Sequence, residues 1–222
     1  DSIHMTSGSN MITDLLAKLD FTRDAPPPVG VSACLVGDAV RYDGDHKFQT
    51  AVAELEEWLE LRRYCPEVGI GLPVPRPAIE IRNIDGEERV RGVDEPDRDF
   101  THALHDYARE VTTVDGYIFK ARSPSCGWDT APVFDETGAQ ASTSSGLFNQ
   151  GVQARFPGIP FCDEEMLQSE AGRTDFVLRV YCHQALRRNP DAADALRHQS
   201  KSLAPRYQDA MEEQIASMAA RQ

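Results

Sequence analysis

The chain contains no apolar run of roughly 18 residues, so no segment reads as a membrane span. Its opening stretch, Asp1-Ser-Ile-His-Met-Thr-Ser-Gly-Ser-Asn10, lacks the apolar heart of a secretory signal. His4-Met5 looks like a cloning remnant, and residues 1–10 are set aside from fold reasoning. There is no GxGxxG after a strand, no Walker lysine loop, no GxSxG elbow and no HExxH, which removes several familiar cofactor and hydrolase signatures. Basic residues are in deficit: the formal net charge of −13 argues against broad nucleic-acid binding, which needs clustered Lys and Arg. A local basic patch stays open. Neither paired CxxC knuckles nor a CxxCxxC run is present. The five cysteines are an odd number, too few for a disulfide scaffold of this length, and reduced thiols in a cytoplasmic setting are expected. No internal repeat or low-complexity tract is found.

What is there is a chain of 222 residues, 41% of them hydrophobic, enough for one large domain or one domain with a helical appendage. Apolar positions over 11–21 have helical spacing, and the prolines at 26–28 end that helix. Residues 29–33 read as a short buried strand running into Cys34, and 40–45 as a turn around Asp43-Gly44. Over 49–63, Val52, Leu55, Trp58, Leu59 and Arg62 trace one side of an amphipathic helix that delivers the chain to Cys65. The Gly/Pro-rich stretch 69–77 predicts no regular element; 78–82 and 88–93 read as strands around an Asp85-Gly86 hairpin. A helix over 97–114 and a strand over 116–120 lead to Cys126; residues 135–145 read as an irregular loop. After a helix over 146–156, a strand entry at 158–161 and a helix start at 164–170, the remainder is helical. That tail breaks at Asn189-Pro190, with Asp191 as its cap. The alternation implies an α/β fold: a mainly parallel sheet flanked by helices, a Rossmann-like three-layer core with a C-terminal helical extension. Ligands bind beyond the carboxyl ends of such strands, where Cys34 and Cys126 fall. Cys65, following a helix, is less firmly placed there.

Three cysteines lie in short Pro/Gly/Ser segments: Val31-Ser-Ala-Cys-Leu-Val-Gly37, Tyr64-Cys-Pro-Glu-Val-Gly69 and Ala121-Arg-Ser-Pro-Ser-Cys-Gly127. Any one of them alone is equally well a buried small hydrophobe. Together they point to a metal or cluster held by loops, and three thiolates leave one position of a four-ligand cluster open. Cys162 and Cys182 sit in apolar runs and read as packing residues. Glu67, two residues from Cys65, is either a general acid/base or a turn-capping acid. The Ser123 and Ser125 hydroxyls face either a substrate or their own backbone. Arg41, Lys120 and Arg122 either balance thiolate charge or are solvated. His102 and His105 read as exposed.

At these segments the chain resembles the 2-thiouracil desulfurase family. The matching pieces add Val40-Arg-Tyr-Asp-Gly44, Gly71-Leu-Pro-Val-Pro-Arg-Pro77, Lys120 and Gly146-Leu-Phe148, spanning roughly residues 28–168 in the family's order. The resemblance implies a [4Fe-4S] cluster on Cys34, Cys65 and Cys126, with Glu67 as catalytic acid/base and Ser123 as catalytic serine. Ser32, Arg41 and Ser125 are the expected substrate contacts. It further implies non-redox desulfuration of a thiolated pyrimidine, of 2-thiouracil or 4-thiouracil type, to uracil with release of hydrogen sulfide. On this reading residues 1–27 hold the remnant and leading helix, 28–170 the catalytic domain, and 171–222 a helical extension. Because the extension departs from the family, a tRNA 4-thiouridine dethiolase stays open, as does a non-enzymatic cluster sensor. Its arginines could form a local basic face, although a solvated appendage is expected.

Overall fold

The computed structural model describes residues 7–220; the supposed remnant His4-Met5 lies outside the described residues. In chain order the elements are α1 (Ser7–Lys18), β1 (Pro28–Ser32), α2 (Thr50–Ala53), β2 (Glu60–Tyr64) and α3 (Pro66–Gly69). Then come β3 (Ile79–Ile84), β4 (Glu87–Gly92), α4 (Thr101–Asp106), β5 (Tyr117–Phe119), β6 (Ala131–Phe134), β7 (Gln140–Ser144) and α5 (Leu147–Arg155). The chain closes with β8 (Phe161–Asp163), α6 (Glu170–Arg188), α7 (Ala193–Ser200) and α8 (Pro205–Ala219).

One sheet, ordered β2-β1-β5-β8, has only parallel pairs among its strands. Side chains alternate across it. Val29, Val31, Ile118 and Cys162 face one layer, packing with Ile12 and Leu16 of α1 and with Phe176, Val177, Val180 and Tyr181 of α6. Tyr117 and Phe119 face the other layer, where Phe148 and Val152 of α5 cover them. The expected helix–sheet–helix sandwich is therefore observed. Gly30 is required at its centre: a Cβ there would lie 2.2 Å from the Tyr117 ring. The helices after Glu170 are not wholly a solvated appendage. Ten α6 residues are buried, and Tyr207, Met211 and Ile215 of α8 join the same core.

A second sheet, ordered β4-β3-β6-β7, was not anticipated. The β3–β4 hairpin around Asp85-Gly86 is as expected, but residues 135–145 are not an irregular loop. They hold a turn and the strand β7, antiparallel to β6. The Asp135 side chain closes that turn by accepting from the backbone N–H groups of Thr137 and Ala139. Strand β7 is polar and largely exposed, so its sequence carries no apolar alternation.

Two helical readings shorten and one cap moves. The helix expected over 49–63 ends near Trp58, and Glu60–Tyr64 pairs in parallel with β1 instead. Val52, Leu55, Trp58 and Leu59 are buried as the helical pattern requires. Arg62 is not part of that face; its guanidinium donates to the Thr112 hydroxyl and the Thr113 carbonyl. The helix expected over 97–114 is confined to Thr101–Asp106 and one following tight turn to Glu110. At the tail break Asn189, not Asp191, is the cap: its side chain accepts from the Asp191 N–H.

Candidate active site

Adjacent strands deliver all three thiols to one edge. Cys34 lies in the tight turn after β1, Cys65 directly after β2, and Cys126 in the loop beyond β5. Since β1 is the strand between β2 and β5, the carboxyl ends of three neighbouring strands carry the three sulfurs. Cys65 thus follows a strand and not a helix, which places it at the ligand-binding edge with the others. All five cysteines are free. Cys34, Cys65 and Cys126 line one cavity of about 360 Å³ with Ser32, Arg41, Glu67 and Ser123. Cys162 and Cys182, buried in the apolar core, do not line that cavity.

Local chemistry fixes each loop. The turn at Cys34 is held where the Lys47 N–H donates to the Cys34 carbonyl at 2.9 Å. Pro66 stands at the start of α3, directly after Cys65, and brings Glu67 into the first turn. In the Cys126 loop the Ser123 hydroxyl oxygen accepts from the backbone N–H of Ser125 at 3.2 Å and of Cys126 at 3.1 Å. The start of α5 docks on the same loop: the N–H groups of Leu147 and Asn149 donate to the carbonyls of Pro124 and Ser125. These are the helix's otherwise unpaired N–H groups, so loop and helix satisfy each other. The contact demands Gly146, because a Cβ there would stand 2.3 Å from the Ser125 carbonyl carbon.

Glu67 is held by both oxygens. Arg76 Nε donates to Oε1 at 3.0 Å and the Ser125 hydroxyl donates to Oε2 at 3.0 Å. Ser125 is buried in the wall behind the carboxylate. Lys120 Nζ pairs with Glu164 at 3.0 Å, and Glu164 also accepts from the Ala121 N–H. The Lys120 N–H donates to Ser32 Oγ at 2.9 Å, tying the ends of β1 and β5 together. Arg122, which has a positive φ of 66°, pairs with Glu165 at the exposed rim. Among the described residues, the Arg41 Nε is a buried donor with no hydrogen-bond partner. His102 and His105 are exposed, as expected.

Burial raises the pKa of each cavity thiol. At Cys34, Arg41 and Lys120 oppose that rise. At Cys65 backbone N–H groups oppose it, and at Cys126 the Ser32 hydroxyl does. Such thiols give up their protons to a metal that binds them. Among the described residues, no group of three or more His, Cys, Asp and Glu is disposed to hold a single metal ion. The thiols instead border a shared cavity. Three soft thiol donors around one cavity fit the donor set of an iron–sulfur cluster.

Sequence reading missed Arg76, although its motif was noted. A buried arginine carries no apolar signature, and only its partner reveals it. The Glu164 carboxylate was missed too, having been read only as part of a helix start.

A parallel α/β sheet with a three-thiol cavity at its carboxyl edge defines a metal- or cluster-dependent class of protein. The model of the family described as 2-thiouracil desulfurase matches residues 29–165, and the chain belongs to that family. A relative from Bacillus subtilis (strain 168), the uncharacterized protein YbbK, is 32% identical over 108 residues, covering 44% of this chain and 71% of its own. A solved structure of the [4Fe-4S]-dependent thiouracil desulfidase TudS is similar at 27% identity and a TM-score of 0.51. The similarity spans 64% of this chain and 93% of that one.

Proposed function

We propose that this protein removes sulfur from a thiolated pyrimidine of 2-thiouracil or 4-thiouracil type, giving uracil and hydrogen sulfide, and that it carries a [4Fe-4S] cluster to do so. The observation that carries the reading is the convergence of Cys34, Cys65 and Cys126 with Glu67 on one cavity. The solved neighbour's dependence on such a cluster supports it. Residues 28–170 would form the catalytic unit, with its thiols kept reduced in the cytoplasm.

Cys34, Cys65 and Cys126 would hold the cluster. When bound, it would supply a soft Lewis acid at the iron no cysteine holds, drawing electron density from a thiocarbonyl. The protein's own groups do the rest. Arg41, with an uncommitted buried Nε–H, would donate to an acceptor atom on the pyrimidine. Ser123 Oγ already accepts two backbone N–H bonds, so its own O–H remains to donate to the substrate. Ser32, buried at the cavity floor, would border the ring, and Ser125 would act through Glu67. Glu67 would take a proton from the attacking water and return it to the departing sulfur. The balance is one water consumed, a C=S bond exchanged for C=O, and both water hydrogens leaving with sulfur as H2S.

Anaerobically loaded protein incubated with 2-thiouracil or 4-thiouracil should release sulfide and uracil in equal amounts. Iron-loaded protein that releases neither would overturn the reading. Glu67→Gln should keep its iron and lose turnover by roughly a hundredfold or more. A cluster sensor would be indifferent to that change. Turnover confined to thiolated tRNA, with steep salt dependence, would mark the tRNA enzyme instead.

A further inference from the structure

Arg76 presents an anomaly that packing does not explain. Its side chain is only 3% exposed, yet it carries a full charge beside the cavity. Nε donates to Glu67 Oε1 at 3.0 Å, one terminal nitrogen donates to the Pro73 carbonyl at 3.2 Å, and the backbone N–H donates to the Tyr42 carbonyl at 2.8 Å. Removing a guanidinium from water is expensive, and an apolar side chain of similar size would commonly serve packing as well. Among the described residues its carboxylate partner is Glu67.

We propose that Arg76 is the positioning residue for Glu67. It grips one carboxylate oxygen while the Ser125 hydroxyl grips the other, which fixes the side-chain rotamer and leaves the remaining lone pairs facing the cavity. The Pro73 carbonyl clamps the guanidinium from its far side, so the fork itself cannot swing. The backbone bond to Tyr42 ties this assembly to the segment that carries Arg41, which lines the same cavity. This assignment rests on the reading of Glu67 as the group that moves the proton.

The test compares wild type with Arg76→Lys and Arg76→Gln, loaded anaerobically and assayed in parallel. Iron per chain, KM and kcat per loaded site are measured, together with crystal structures of the variants. Arg76→Gln should lower kcat per loaded site roughly ten- to a hundredfold with KM changed far less, the pattern of a group that acts on the chemical step. Arg76→Lys keeps the buried charge and hence the fold, but lacks the fork, and should lower kcat to a smaller degree. In both variant structures the Glu67 carboxylate should leave its wild-type orientation. An activity loss that merely tracks iron content, or a Glu67 that keeps its orientation in both variants, would overturn the assignment. Failure of the parent reading looks different: wild-type protein would hold iron and release no sulfide, and the Glu67 orientation would still decide the role of Arg76.

Discussion

Cys162 and Cys182 are buried more completely than the three cavity thiols, at 1% and 0% exposure, and position alone separates their chemistry. Replacing Cys34, Cys65 or Cys126 singly by Ala should abolish retention of iron, counted per chain after anaerobic loading. Cys162→Ala and Cys182→Ala should retain iron and lose only about 1 kcal/mol of stability in urea unfolding, as expected for a small buried truncation. Gly146→Ala tests the loop differently. The added methyl would collide with the Ser125 backbone, so the Cys126 loop must shift even though no ligand is altered. Iron retention should fall markedly while the variant still unfolds cooperatively, which iron analysis beside a melting curve would show. At this scale the sequence was legible where chemistry and loop composition coincide, as at Cys34, Cys65, Glu67 and Cys126. It was illegible at Arg76, quoted only as part of a proline-rich motif, because burial and the Glu67 partner leave no mark on the sequence.

The elements were readable when their apolar pattern was their own. Strands β1 and β5 are continuous buried runs with helices on both faces, and such runs declare themselves. Strand β2 does not, because Glu60-Leu-Arg-Arg-Tyr64 is an edge strand whose identity comes from pairing with β1. Missing it was also what left Cys65 loosely placed. Far from the cavity, α6 is fastened to the start of β5 by a buried network. Asp115, 0% exposed, accepts from Arg187 through both oxygens and lies 2.7 Å from His183 Nδ1. Burial alone would raise the Asp115 pKa, but Arg187 and His183 outweigh it and hold the carboxyl below the usual range. A depressed carboxyl pKa stabilises the fold at pH values above the unfolded value of about 3.9, and that contribution fades as pH falls through the folded value. Asp115→Asn should therefore destabilise by roughly 3 kcal/mol at pH 7, and the gap to wild type should narrow below about pH 4, in urea titrations at both pH values.

For the whole molecule, the family model stops at residue 165, while the apolar core does not. Phe176, Val177, Leu178, Val180 and Tyr181 cover the sheet face that Val29, Val31 and Ile118 present. A chain ending at residue 168 should expose that face and lose cooperative unfolding by circular dichroism, although every candidate site residue is retained. The sheet also bears on how the protein meets its iron. Three sulfurs mounted on the ends of hydrogen-bonded neighbouring strands are gathered by the backbone ladder before any metal arrives, unlike the ligands of small domains that fold only around their ion. A fold held by strand pairing and an apolar core of its own should not depend on its cargo: iron-free and iron-loaded protein should both unfold cooperatively in melting curves.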